Sequence, residues 1–319
     1  MVTTQSSLEP FQSFGTPIAL MSLVKQMTTQ FETSLRISSK PVPDSASWVD
    51  SASIVPTIRV GGVGFSNVTM QQTLSMILLM IQKSHMPHHI VTGNLDHLCQ
   101  LETDSDFQRA YAGASLVLAD GMPIVWMSKL LRSGTQESLP ERVAGSDLFW
   151  ELGRLSQANG LRIFLLGGKP GAADGAKAKL KEKYPDCDIC GTYCPPFENF
   201  DSSDVQDEII SRVRAASPDI LLVAFGAPKQ EKWILENKMR LGVPVSIGVG
   251  GSFEMACGFS KRAPKIMQRI GLEWAYRLLQ DPARLYERYV RKDIPFLMKL
   301  LCRTLNESFM NVSGPNVIR

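Results

Sequence analysis

The chain has 319 residues, of which 44% are hydrophobic and 20% charged, which suits a soluble globular protein with a large core and room for a second small unit. No apolar run approaches the roughly 18–20 residues that span a bilayer, and the N-terminus lacks the charged start and continuous apolar core of a secretory signal, so a cytoplasmic location is expected. The net charge of +3 is unevenly placed: residues 261–319 hold 12 Lys and Arg against 5 Asp and Glu, a net +7, which leaves −4 on residues 1–260. Basicity gathered at one end points to a polyanionic partner, either anionic lipid or nucleic acid.

Residues 1–52 are rich in Ser, Thr, Gln and Pro with no sustained period, and read as a mostly disordered leader. The folded part is expected from residue 53. There, "IVPTIRVGGVGFSNVT" has the form strand, glycine turn, strand, and "TMQQTLSMILLMIQK" repeats apolar residues at helical spacing. Next come five short, nearly uninterrupted apolar runs: "HHIVTGN", "ASLVLAD", "LRIFLLGG", "DILLVAFG" and "VPVSIGVGG". Each ends in Gly, Asn or Asp before a helical pattern, as strands buried on both faces of a parallel sheet do. The expected fold is α/β: a Rossmann-like parallel sheet sandwiched by helices over residues 53–260, with a C-terminal basic helical appendage over 261–305 and a flexible tail over 306–319. In such sheets the ligand lies beyond the carboxyl ends of the strands, where these polar endings converge.

Asp120 stands at one of those ends, in "LVLADGMPIVW". Its position permits two readings, a carboxylate projecting into the crevice or a cap for a helix starting near Met122. "FLLGGKPGAADGAKAKL" places Gly167 and Gly168 between a strand and a helix, where backbone N–H groups can cradle a diphosphate, although neither a full dinucleotide fingerprint nor a Walker motif is present. "FGAPKQEKW" offers Lys229 and Gln230 to the crevice, a cation and an amide, with Pro228 starting the helix and Glu231 and Lys232 read as helix-surface polarity. "GVGGSFEMACGFSKRAPK", with Gly250, is a third glycine-rich strand end, and the three together favour a nucleotide-containing ligand.

Six cysteines at irregular positions are read as reduced thiols. Only "CDICGTYC" has ligand-like spacing, but no second pair follows it, so an ordinary strand and loop are expected. The histidines His85, His88, His89 and His97 are read as surface or loop residues, and no metal site is expected. Beyond residue 263 the pattern is amphipathic and helical, broken by Pro282 and Pro295 into three helices. Its arginines alternate with Trp274, Tyr276, Tyr286, Tyr289 and Phe296, a mixture suited to an anionic membrane surface, or else to a solvated basic face packed on the chain's own core. No nucleic-acid module is evident.

These strings, with "VTGNLDHL", "ERVAGSDL" and "LEWAYRLLQDPARLYERY", occur in an order and spacing that resembles the WecG/TagA/CpsF glycosyltransferases, glycosyltransferase family 26, over residues 55–301. The resemblance implies an inverting transferase that needs no metal or other cofactor and moves a hexose, often N-acetylmannosamine, from a UDP-sugar. The implied acceptor is a polyprenyl-diphosphate-linked saccharide at the inner face of the cell membrane, and the basic appendage would bring the site to that membrane. It further implies that Asp120 is the general base, that Thr92, Asn94, Arg142 and Gln230 contact substrate, and that Arg277, Arg284 and Arg288 stabilise the leaving diphosphate. A glucosyl or N-acetylmannosaminuronic acid donor is the alternative within the enzyme class. A non-catalytic nucleotide-sugar-binding membrane module and a nicotinamide-dependent oxidoreductase are the alternatives outside it. Exposed apolar residues of the appendage leave a homo-oligomer open.

Overall fold

In the computed structural model of the chain, residues 55–130 and 137–312 are described. The leader read into residues 1–52 and the end of the chain past Val312 lie outside them. The first described element is a hairpin, β1 (Thr57–Val60) and β2 (Val63–Ser66), paired antiparallel. Gly61 and Gly62 turn it at φ of 58° and 83°, the two successive positive values that a tight hairpin turn requires. Helix α1 (Met70–Lys83) starts at a capping box in which Thr69 and Gln72 satisfy each other's backbone N–H groups.

Among the described residues, the six other strands form one parallel sheet. In chain order they are β3 (His88–Gly93), β4 (Leu116–Ala119), β5 (Arg162–Gly167), β6 (Asp188–Tyr193), β7 (Ile220–Ala224) and β8 (Val245–Gly248). In space they run β4-β3-β8-β7-β5-β6. Between them lie α2 (Leu95–Leu101), α3 (Ser105–Ala112), α4 (Met122–Leu130), α5 (Gly145–Asn159), α6 (Ala172–Lys183), α7 (Ser203–Ala216) and α8 (Lys229–Leu241). The uninterrupted apolar runs are explained by what covers them. In β7, Ile220 and Leu222 join the core layer under α1, α5 and α6, while Leu221 and Val223 join the layer under α7 and α8. Both faces are dry, so polar residues have no favourable side on which to stand. β6 lies at the sheet edge and is only partly buried, which is why its sequence, DICGTY, is more polar than the others.

After β8 come α9 (Ser252–Cys257), α10 (Lys265–Arg269), α11 (Glu273–Gln280) and α12 (Pro282–Tyr286). A π-helical stretch, Glu287–Asp293, then leads directly into α13 (Ile294–Val312). The three-helix reading needs correction at Pro295. Ile294 keeps helical angles, φ −66° and ψ −50°, so the axis continues through the proline. A proline nitrogen cannot donate, and its ring crowds the carbonyl one turn back, so a widened turn just before it relieves the conflict.

This C-terminal region rests on the core. Phe296 and Leu300 enter the apolar cluster around Phe65, Leu98 and Phe107. Arg288 pairs with Asp96 at 2.9 Å, and Lys299 with Glu102 at 2.7 Å.

Candidate active site

The carboxyl ends of β3, β4, β5, β7 and β8 open into a cleft of about 610 Å³, roofed on one side by α11 and the π-helical stretch. Its wall brings together Thr92, Asn94, Asp120, Arg142, Gly168, Gln230, Gly250, Arg277 and Arg288 from the residues singled out in the sequence. Gly167 is not in the wall. At φ 94° it faces the Phe225 ring and the Ala224 carbonyl, which any Cβ would strike, so it serves the close approach of β5 to β7. The side chain of Arg284 lies outside the described residues.

Asp120 follows β4, with its backbone N–H held by the Gly93 carbonyl at 2.7 Å. Its Oδ2 accepts from Gly145 N–H at 3.2 Å. The carboxylate therefore does meet a helix N-terminus, but that of α5 rather than the helix starting at Met122. Burial pushes its pKa from 3.8 up to about 6, Glu273 adds to the rise, and Arg142, the Gly145 N–H and Arg277 pull against it. Such a group is mostly ionised near neutral pH yet basic enough to take a proton from a bound hydroxyl.

Arg142 is held by three side chains: Glu273 at 2.9 Å, Asp147 at 2.8 Å and Gln268 at 3.3 Å. Asp147 also binds Arg262 at 2.7 Å. Glu273 and Gln268 belong to the C-terminal helices, so Arg142 ties them to the edge of the cleft beside Asp120. Thr92 donates to the Gly248 carbonyl at 2.8 Å and fastens β3 to β8, while Asn94 caps α2 by accepting from His97 N–H at 3.1 Å. Residues at the N-termini of α2, α5 and α8 line the cleft, and the positive ends of these helix dipoles favour anionic ligands.

The structure corrects several expectations. Glu231 is fully buried, not on a helix surface, and burial raises its pKa to about 7. Lys232 pairs with Asp104 at 2.6 Å, and Lys229 lies over the Phe200 ring at 3.4 Å rather than in the cleft. Pro228 precedes the helix instead of opening it. His89 and His97 are buried too, and desolvation lowers both pKa values to about 3. His97 lines the cleft and shares a 2.7 Å hydrogen bond with Tyr111. In the cysteine-rich stretch, Cys187 is buried in the core, Cys190 donates to the Ile163 carbonyl and Cys194 to the Gly168 carbonyl, so the three thiols address different neighbours.

Glu231, Glu273, Asp147 and Asp96 were not picked out by sequence reasoning. For Glu231 a signal existed: Gln230, Ile234, Asn237 and Leu241 mark the buried stripe of α8, and position 231 adjoins it. For Glu273 there was none, because its contact with Arg142 joins segments 131 residues apart; Asp147 stands close to Arg142 in "ERVAGSDL", and only its second partner, Arg262, comes from a distant segment.

The Glycosyl transferase WecG/TagA/CpsF family matches residues 58–309. The chain is also 30% identical over 252 residues to N-acetylglucosaminyldiphosphoundecaprenol N-acetyl-beta-D-mannosaminyltransferases of Staphylococcus aureus, among them those of strains MW2, NCTC 8325 and COL, covering 78% of this chain and 94% of each relative. The cleft at the strand ends, its partly buried aspartate and this match over most of the length agree: the chain is a glycosyltransferase and belongs to the WecG/TagA/CpsF family.

Proposed function

We propose that the chain transfers an N-acetylmannosaminyl residue, with inversion, from a UDP-sugar to a polyprenyl-diphosphate-linked N-acetylglucosamine. The observation that carries the reading is Asp120, a carboxylate with pKa about 6 whose Oδ2 is held by Gly145 at the meeting point of the glycine-lined strand ends. In this reaction the acceptor hydroxyl oxygen attacks the anomeric carbon, Asp120 takes its proton, and the bond to the UDP oxygen breaks on the opposite face of the sugar. The charge that develops on the leaving diphosphate falls to Arg277, Arg288 and the helix N-termini, so the mechanism calls for no metal. The acceptor is that of the relatives' printed activity.

The lipid-linked acceptor also gives a use to the outer side of the C-terminal region. Phe259, Ile266, Ile270, Leu279 and Tyr286 are exposed there, beside the exposed cations Lys261, Lys265, Arg269 and Lys292. Apolar side chains among cations suit a peripheral contact with the anionic inner face of a membrane. Among the described residues no helix is long and apolar enough to cross one.

The test is a donor panel. UDP-N-acetylmannosamine, UDP-glucose and UDP-N-acetylmannosaminuronic acid are offered with polyprenyl-diphosphate-linked N-acetylglucosamine in anionic vesicles, and UDP release and product anomer are measured. Release with the first donor and a β-linked product are expected. Acceptor-independent binding of every donor with no release would instead support a non-catalytic module.

A further inference from the structure

We infer that Glu231 is a positioning residue for the donor site: it orients the Gln230 carboxamide so that this one side chain fastens two glycine turns together and presents its remaining N–H to the sugar nucleotide. The inference rests on the proposed donor and deepens it. Gln230 is buried at the base of the cleft. Its Oε1 accepts from two backbone donors, Gly226 N–H after β7 at 3.2 Å and Gly250 N–H after β8 at 3.1 Å. Its Nε2 donates to Glu231 Oε1 at 2.7 Å. The orientation of the amide follows from these partners, since the reverse one would set NH₂ against two N–H groups and a carbonyl oxygen against a carboxylate.

A primary amide has two hydrogens on nitrogen. Glu231 accepts one, so the other is left for the cleft, held in a fixed direction by three hydrogen bonds on the same side chain. The turns it joins are conformationally special as well, with Gly226 at φ 78° and Gly250 at φ 51°, and both line the cleft. Gly248 makes the arrangement sterically feasible, because a Cβ there would come within 2.7 Å of Gln230 Nε2 and 3.0 Å of Glu231 Oε1.

The remaining oxygen of Glu231, Oε2, is buried without a hydrogen-bond partner. A buried carboxylate with an unpartnered oxygen lowers stability, so packing alone gives no reason for an acid at this position. A role in holding the adjacent amide supplies one.

The experiment compares Glu231→Leu and Glu231→Gln with the parent full-length chain. Amide hydrogen exchange is measured without ligand, together with thermal midpoints and donor kinetics. Glu231→Leu keeps the volume and removes the acceptor. It is expected to hold or raise the thermal midpoint while exchange at Gly226 and Gly250 quickens about tenfold, as the weakening of one hydrogen-bonded anchor would produce. Donor KM should rise by a similar factor, with kcat changing much less. Glu231→Gln, whose side-chain oxygen can still accept, should recover part of both losses. Exchange at the two glycines within twofold of the parent would overturn the inference. So would an activity loss that simply followed a fall in the midpoint, with KM unmoved. Should the parent chain transfer no sugar from any UDP donor, the proposed reaction fails, and exchange still decides whether Glu231 holds the two turns.

Discussion

Asp120 lies where two requirements oppose each other. A base must be ionised and accessible, yet the wall of a substrate cleft desolvates it and lifts its pKa from 3.8 to about 6. The sign of the linkage follows. A carboxyl whose folded pKa is raised binds its proton more tightly in the folded state, so its contribution to stability falls as pH climbs from about 4 through 6. Asp120→Asn removes that penalty. Relative to the parent, the variant should be more stable at pH 7.5 by about 1–3 kcal/mol, the upper end corresponding to the full shift without solvent screening, and the gap should close toward pH 4. Urea melts at the two pH values check this, and an equal gap at both would show that the carboxylate is not strained by burial. The position of Asp120 at a strand end was legible from the apolar run preceding it. Its partner Gly145 was not, since 25 residues separate the two and only the return of α5 to the mouth of β4 brings them together. His89 and His97 were misread for a similar reason: a ring on β3 or α2 is covered by elements that local sequence does not name.

Strands were the most legible elements because burial on both faces leaves one signature, a short apolar run ending in turn residues. The edge strand β6 gave a weaker signal, and the continuous α12 to α13 rod gave a misleading one, since Pro295 suggests a break that a π-helical turn absorbs. The link between α10 and α11 shows how closely the C-terminal region is fitted to the core. Gly271 stands there at φ 67°, and a Cβ on it would overlap the Trp126 indole of α4. Gly271→Ala combines an unfavourable backbone angle with that overlap and should cost about 1–3 kcal/mol. It should also slacken the roof of the cleft, since α11 begins two residues later with Glu273. A denaturation midpoint equal to the parent's would mean that this turn yields without cost.

At the scale of the whole molecule, the charge asymmetry visible in the sequence has two physical destinations. Part of the C-terminal basicity is neutralised against the core, through Arg262 with Asp147, Arg288 with Asp96 and Lys299 with Glu102. Part remains outward among exposed apolar residues. The inner face latches the cleft to the core, and the outer face is the one that the proposed lipid contact would use. The latch also carries Glu273 and Arg277 to the cleft, so the site is built jointly by the sheet and the C-terminal helices. The proposed chemistry nevertheless turns on one atom group, and transfer by Asp120→Asn tests it most directly, with UDP affinity measured on the same preparation. The account predicts a fall in turnover of about 10²- to 10⁴-fold, the usual contribution of a positioned base, while UDP binds as it does to the parent chain. Turnover at the parental rate with UDP still bound would contradict it.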